Sequence, residues 1–181
     1  MTRFRFLGRL CLDFASTGGD GPYARFETLH ATPDLARWLA ESSLGVAVDV
    51  SGPDLALAKA LRRGIWNAAE ALVDDGTPGA AELAVINAVA ARPPLVPNLT
   101  GPALTRGWRE PSAEQALSDV ARDAVALLSD PAQRARLRRC ASPDCELIFY
   151  DSSRPGRRRW CSTERCGDRM RARAYRARHR A

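Results

Sequence analysis

Residues 140–178 read CASPDCELIFYDSSRPGRRRWCSTERCGDRMRARAYRAR. Cys140, Cys145, Cys161 and Cys166 stand there in the spacing C-x4-C-x15-C-x4-C. Four thiolates can close a tetrahedral zinc site, and closed sites of this kind are structural, not catalytic. Between the pairs, Glu146–Tyr150 (ELIFY) predicts a strand, Asp151–Gly156 a turn, and Arg157–Trp160 the returning strand. Ser162 is placed to cap a helix that takes Cys166 in its first turn and runs to about Arg178. Knuckle, hairpin and helix in that order make a treble-clef-like finger. A segment of roughly 45 residues builds little core of its own, so one structural Zn2+ is expected to supply its folding free energy. Disulfides are disfavoured in the reducing compartment expected for this chain. Two separated cysteine pairs around a hairpin also suit zinc better than an iron–sulfur cluster.

The same stretch carries the positive charge. Arg165, Arg169, Arg173 or Arg176, and Arg180 step by three or four and share one helical face, while Arg171 and Arg178 extend the charge round it. Arg157, Arg158 and Arg159 add a second edge on the hairpin. Residues 131–181 hold 15 arginines against five acids, a net +10, which leaves −4 for residues 1–130 of a chain with net charge +6. A block this basic beside an acidic body is the footprint of a polyanion-binding appendage. DNA is the expected partner, and RNA is not distinguished from it by charge. Of two roles open to Tyr175, packing on the hairpin and stacking on a base, packing is the expected one.

Working back from this finger, the chain predicts a mostly helical body with a minor antiparallel sheet. Phe4–Phe14 (FRFLGRLCLDF) suggests a short strand or an extended segment entering the core, and Ser16–Tyr23 a plain glycine-rich turn. Thr32-Pro33-Asp34 opens a first helix, with Thr32 as cap and Leu35, Trp38 and Leu39 on one face. A second helix runs from Ser51 or Pro53 to about Val73, and a third starts at Thr77-Pro78 and stops at Arg92-Pro93-Pro94. Leu95–Thr100 and Ala103–Glu110 predict a hairpin about Gly101-Pro102. Ser112 caps a fourth helix to about Leu128, and Asp130-Pro131 begins a short one that runs into Cys140. Trp38, Trp66 and Trp108 are read as core aromatics, Cys11 as a small buried side chain, and His30 as a capping or surface residue.

No acid, base and nucleophile cluster in this body, so an enzyme is not expected. No apolar run has the length of a membrane helix, about 18 residues or more. The N-terminus lacks a continuous signal-peptide core, which makes the cytoplasm, at the nucleoid, the expected location. Lys59 is the lone lysine beside many arginines and alanines, a composition that fits a high-GC bacterial genome.

Trp160–Arg169 (WCSTERCGDR) resembles the signature of the CGNR zinc-finger family. The preceding CELIFYDSSRPGRRRW, with its triplet Phe149-Tyr150-Asp151, is similar to the middle segment of that family. Asp168 stands where the family carries Asn. A carboxylate there would repel phosphate unless a neighbouring arginine pairs with it. FLGRLCLDFASTGG (Phe6–Gly19) and DLARWLAES (Asp34–Ser42) resemble the start of the ABATE domain. Together the two resemblances imply a stress-associated transcription regulator.

The expected protein is therefore an α+β chain in two parts. Residues 1–130 form an ABATE-like, α-rich domain that folds alone and senses a small-molecule or protein effector. Residues 131–181 form a CGNR-type zinc finger that binds DNA. The alternative is an interaction module that docks the finger on an acidic protein partner.

Overall fold

The computed structural model describes residues 7–19 and 21–179. Seven α-helices and two small antiparallel sheets are found among them. Helix α1 is Leu10–Ala15, where a strand or an extended segment was expected; residues 4–6 of that expected segment lie outside the described residues. The reason is tertiary. The Cys11 N–H, an orphan of the first helical turn, donates to Asp123 Oδ2 at 2.9 Å, and Leu7 N–H donates to Asp13 Oδ1 at 3.0 Å. Gly8 turns the chain into α1 at φ +86°, and a Cβ there would lie 2.9 Å from the Tyr150 carbonyl oxygen. Only glycine meets both demands. The glycine-rich segment ends in a 3-10 turn, Gly21–Phe26, in place of a plain turn.

Helix α2 is Thr32–Glu41. Its N-cap position is Ala31, not Thr32, and the capping acceptor is Asp34, whose Oδ2 takes the N–H groups of His30 and Ala31 at 3.0 and 2.9 Å. The Ala31 bond above all, with those from Arg37 and His30, holds Asp34 below its ordinary value against the opposing effect of burial. His30 is exposed, as expected. Helix α3 is Gly52–Val73, capped by Ser51, and α4 is Ala80–Ala90. The hairpin pairs β1 (Val96–Thr100) with β2 (Thr105–Arg109), in the register Val96 to Arg109 through Thr100 to Thr105. Helix α5 is Ala113–Ser129, with Ser112 Oγ accepting the Gln115 N–H.

The core lies where α1, α3, α4 and α5 meet. Cys11 and Phe14 of α1, Leu61 and Ile65 of α3, and Leu117 and Val120 of α5 are at most 1% exposed. Trp38 reaches the same core and tilts against Phe14, their ring centroids 4.9 Å apart. Trp66 and Trp108 are only partly buried, and Trp108 Nε1 donates to the Leu44 carbonyl at 2.9 Å, fastening the hairpin to the body.

One ion pair is sunk into this body. Arg62 of α3 is 3% exposed, and its guanidinium grips both oxygens of Glu27 at 2.7 and 2.6 Å. Glu27 Oε1 also takes the N–H groups of Thr28 and Leu29. Burial would raise the Glu27 carboxyl, but the bonds from Arg62 and Leu29 outweigh it and hold it below its ordinary value. Glu27→Ala would strand a buried guanidinium, and we expect it to lower unfolding free energy by about 3–5 kcal/mol. The sign with pH follows from the depressed value. The contribution of Glu27 is complete above its unfolded pKa, about 4.3, and fades as pH falls through the lower folded one. Urea melts of wild type and variant between pH 3 and 7 should therefore converge toward the acid end. A constant gap would refute the electrostatic account.

Beyond Asp130 the chain departs from expectation. Helix α6 stops after one turn, Pro131–Arg134, instead of reaching Cys140. Strand β3, Leu137–Arg139, follows and pairs with β4, Ile148–Tyr150, with Leu137 opposite Tyr150 and Arg139 opposite Ile148. The finger's hairpin is thus β3–β4, folded about the first cysteine pair. Residues 157–160, expected as the returning strand, form no strand and lie outside that ladder, joined to the knuckle by the Ala141 N–H bond to the Arg159 carbonyl at 2.8 Å. Helix α7 is Asp168–Arg178.

This hairpin is built into the body. Leu137, Ile148 and Phe149 belong to the same buried cluster as Phe14 and Leu117. Tyr150 N–H donates to the Leu7 carbonyl at 2.8 Å. Arg139 bonds both oxygens of Asp74 at 2.9 and 2.7 Å and lies 3.5 Å from Glu70, at the end of α3. Arg9 spans the joint. It pairs with Asp123, donates to Gln133 Oε1, and lies 5.9 Å from the Tyr150 ring centroid.

Candidate metal centre and basic helix

The β3–β4 turn is held by the Cys140 N–H bond to the Leu147 carbonyl at 2.9 Å and the Cys145 N–H bond to the Ser142 carbonyl at 3.0 Å. Glu146, at φ +45°, reverses the chain there. These bonds bring Cys140 and Cys145 together. Cys161 follows residues 157–160, and Cys166 lies in a π-turn, Thr163–Gly167, that leads directly into α7. Ser162 caps that turn as expected, its Oγ accepting the Arg165 N–H at 3.3 Å. The Cys166 and Gly167 N–H groups both donate to the Ser162 carbonyl.

The four sulfurs lie within 4.8 Å of one another. Cys161 Sγ is 3.6 Å from Cys145 Sγ and 3.7 Å from Cys166 Sγ. A disulfide needs about 2.05 Å, whereas a tetrahedron with Zn–S near 2.3 Å has an S–S edge of roughly 3.8 Å. The spacing is that of ligands around an ion. The Cys161 N–H points at Cys140 Sγ from 3.4 Å, the kind of outer bond that orients a thiolate ligand. Among themselves the thiols cannot all ionise. Hydrogen bonds from Cys145 and Cys161 hold Cys140 down to about 2, while Cys140 pushes Cys145 up to about 12 and drives Cys161 well above its usual range. Four thiolates side by side require a cation, and the donor set is the one zinc takes. The cluster supports one structural zinc ion.

The loop between the cysteine pairs is stapled by a residue whose role sequence reading left open. Asp151 is fully buried and accepts bonds from the Ser153 N–H and hydroxyl at 3.0 and 2.6 Å and from the Arg158 N–H at 2.7 Å. Burial would raise its pKa, but these bonds lower it on balance. The signal was present as Asp-Ser-Ser, a sequence that favours an Asx-type turn. Arg136 closes the loop from the other side by donating to the carbonyls of Asp151 and Ser153, both at 2.9 Å.

The candidate nucleic-acid residues fall into distinct environments. Arg158 is committed to the fold, donating to the Cys161 carbonyl at 2.7 Å with its guanidinium 5.0 Å from the Phe149 ring centroid. Arg159 lies over Trp160 at 5.3 Å. Arg171 pairs with Asp168, so the carboxylate in the family's Asn position is neutralised within its own helix. Arg173 reaches Asp144 of the knuckle at 2.7 Å. Arg157, Arg169, Arg176 and Arg178 are exposed and have no ion-pair partner among the described residues, and Arg165 is exposed as well. Arg180 lies outside the described residues. Tyr175 does not pack on the hairpin as expected. It is 57% exposed and stacks on His179, ring centroids 4.1 Å apart.

None of the described residues of α7 is buried, and the helix is seated chiefly by the π-turn before it. Asp168 at its start and Arg176 and Arg178 at its end suit the helix dipole. Among the described residues no helix is long and apolar enough to cross a membrane.

With this geometry in place, comparison with known proteins gives two matches. The model of the CGNR zinc finger matches residues 136–179. The model of the ABATE family, whose description is "Putative stress-induced transcription regulator", matches residues 8–131. No curated protein matches the chain. Since the second of these models spans well over half of its length, the chain belongs to the ABATE family, here joined to a CGNR zinc finger.

Proposed function

We propose that the protein is a zinc-dependent DNA-binding transcription regulator. Cys140, Cys145, Cys161 and Cys166 hold one zinc, and the metal fixes the π-turn that launches α7. The observation that carries this reading is α7 itself, an arginine-rich helix with no buried residue, rooted directly behind the thiolate cluster. At about 100° per residue, Arg169, Arg173 and Arg176 fall on one face of α7, and Arg165 lies in the π-turn just before it. The Arg173–Asp144 pair does not remove Arg173 from that face. Both partners are roughly half exposed, and such pairs are worth little, about 0–1 kcal/mol, so phosphate can replace the carboxylate. A division near residue 130 into a regulatory body and a DNA-binding finger remains the functional partition we propose. The body is the part that would answer to a small-molecule or protein effector.

If α7 lies along a duplex, its arginines release counterions on binding. Log affinity then falls linearly with log salt, with a slope of about −0.9 per phosphate engaged. Replacing Arg169 and Arg176 by Ala should flatten that slope by about one unit for each phosphate no longer engaged. Zinc content should stay at one per chain, because neither side chain belongs to the cluster. Fluorescence anisotropy on labelled duplex over a salt series measures this. Absence of affinity for DNA or RNA at low salt would overturn the proposal, and the same arginines would then be better explained by docking on an acidic protein.

A further inference from the structure

Between the body and the finger lies a cavity of about 280 Å³. Its apolar wall comes from Ala15, Phe26, Trp66 and Leu147, and its far side is formed by sulfur. Cys145, Cys161 and Cys166 all line it, whereas Cys140 does not. Asp144 and Glu146 of the knuckle, Arg165 and Arg169 from the finger's second half, and Ser16 and Gly18 of the body complete the lining. Three of the four clustered cysteines are almost wholly buried, and Cys145 is the half-buried one. Cys145, the least buried of the four sulfurs, thus lines a small cleft that is apolar on its Trp66 and Phe26 side and charged on the other.

We infer that this cleft makes Cys145 a site of oxidation by a small hydroperoxide with an apolar body, and that the product is a Cys145–Cys161 disulfide. A thiolate held in a metal cluster is deprotonated and remains a nucleophile. A hydroperoxide seated against Trp66 and Phe26 can place its O–O bond at the Cys145 sulfur. The thiolate attacks the terminal oxygen, the O–O bond breaks, and an alkoxide leaves, taking a proton from water to become the alcohol. Arg165 and Arg169 line the same space and offset Asp144 and Glu146 toward the negative charge that develops on it. Cys145 is then a sulfenic acid. Cys161, whose sulfur is 3.6 Å away, attacks the oxidised sulfur, the S–S bond forms and hydroxide departs. Two thiolates supply the two electrons that reduce one hydroperoxide. Two thiolates remain where the closed site needs four, and the binding that held the ion is lost.

The volume lies just below the roughly 300–1,000 Å³ of clefts that take drug-sized ligands, which suits a small occupant. Cumene hydroperoxide is the probe, with hydrogen peroxide as the reagent too small to occupy the apolar wall. In zinc-loaded full-length protein, release of zinc to a chromogenic chelator should saturate with cumene hydroperoxide concentration and stay linear with hydrogen peroxide. Peptide mapping at partial release should find Cys145–Cys161 as the first disulfide, at one disulfide per zinc. Dithiothreitol with added zinc should restore the original state. Linear kinetics with both reagents, a first disulfide that contains Cys140, or zinc release without a disulfide at Cys145 would each overturn the inference. It rests on the cysteines being the zinc ligands, which elemental analysis of the untreated protein tests separately. DNA affinity enters neither measurement.

Discussion

Replacing Cys161 by Ser, or stripping the metal with a strong chelator, is expected to unfold residues 136–179 and to weaken the body with them. Cys161 is 1% exposed and lies within 3.7 Å of two other sulfurs, so its loss leaves a closed site with three ligands and a buried hydroxyl. Binding to a structural zinc site is worth roughly 10–16 kcal/mol in finger peptides at neutral pH, as large as or larger than the whole stability of an ordinary domain. Apart from the contacts of β3 and β4 with the body, the finger has little to hold it. Its sheet has two strands of three residues each, and α7 offers no buried side chain. The effect on the body follows from the shared core, because Leu137, Ile148 and Phe149 can stay packed against α1 and α3 only while the knuckle keeps β3 and β4 paired. One zinc per chain in wild type, loss of it in the variant, and a thermal transition lowered by well over 10 °C are the expected readings. Cys11→Ala is the control, since Cys11 is buried in the body and should leave the zinc stoichiometry untouched. A Cys161→Ser protein that keeps its metal and its melting temperature would refute the assignment.

The metal centre could be read from the sequence because thiolate chemistry constrains spacing so tightly. Two close cysteine pairs separated by a hairpin's length leave few other uses for four sulfurs. The helices α2 to α5 were legible for a related reason, since Pro33, Ser51 and Ser112 and the apolar stripes behind them are local signals. The β1–β2 hairpin announced itself through Gly101-Pro102 between two short runs. What failed was set at a distance. Strand β3 is Leu-Arg-Arg, three residues with no apolar alternation, and it becomes a strand only because Ile148–Tyr150 lies beside it. Helix α1 has six residues, too few for periodicity to show, and its first turn is satisfied by Asp123, more than a hundred residues away. The fate of the arginines was hidden for the same reason. Nothing local separates Arg158, spent on a carbonyl and the Phe149 ring, from Arg157, which is exposed at the surface.

The last expected result concerns a chain that ends at Asp130. Composition alone suggests that this acidic, helix-rich portion should melt cooperatively. The seam argues otherwise. Ending the chain there removes Leu137, Ile148 and Phe149, each at most 5% exposed, from a cluster shared with Phe14 and Ile65. Burial of a single such side chain is worth about 1.5–3 kcal/mol. Part of that is contributed within the finger itself, so the body's loss is smaller than three full side chains. Polar losses add to it. Arg9 would lose Gln133 and the Tyr150 ring, and the Leu7 carbonyl would lose the Tyr150 N–H. Asp74 and Glu70 would face each other at the end of α3 without Arg139, a smaller effect because these side chains are partly exposed. The sum is several kcal/mol from a stability that for most domains is only about 5–15. We therefore expect the shortened protein to keep its helical circular dichroism and to lose its sharp transition, with slow broad melting and binding of an apolar dye. Adding back Pro131–Tyr150 without the second cysteine pair should not rescue it, because that hairpin depends on the cluster for its turn. A sharp two-state melt at the wild-type temperature from the chain ending at Asp130 would show that the body stands alone and that the seam is only a docking surface.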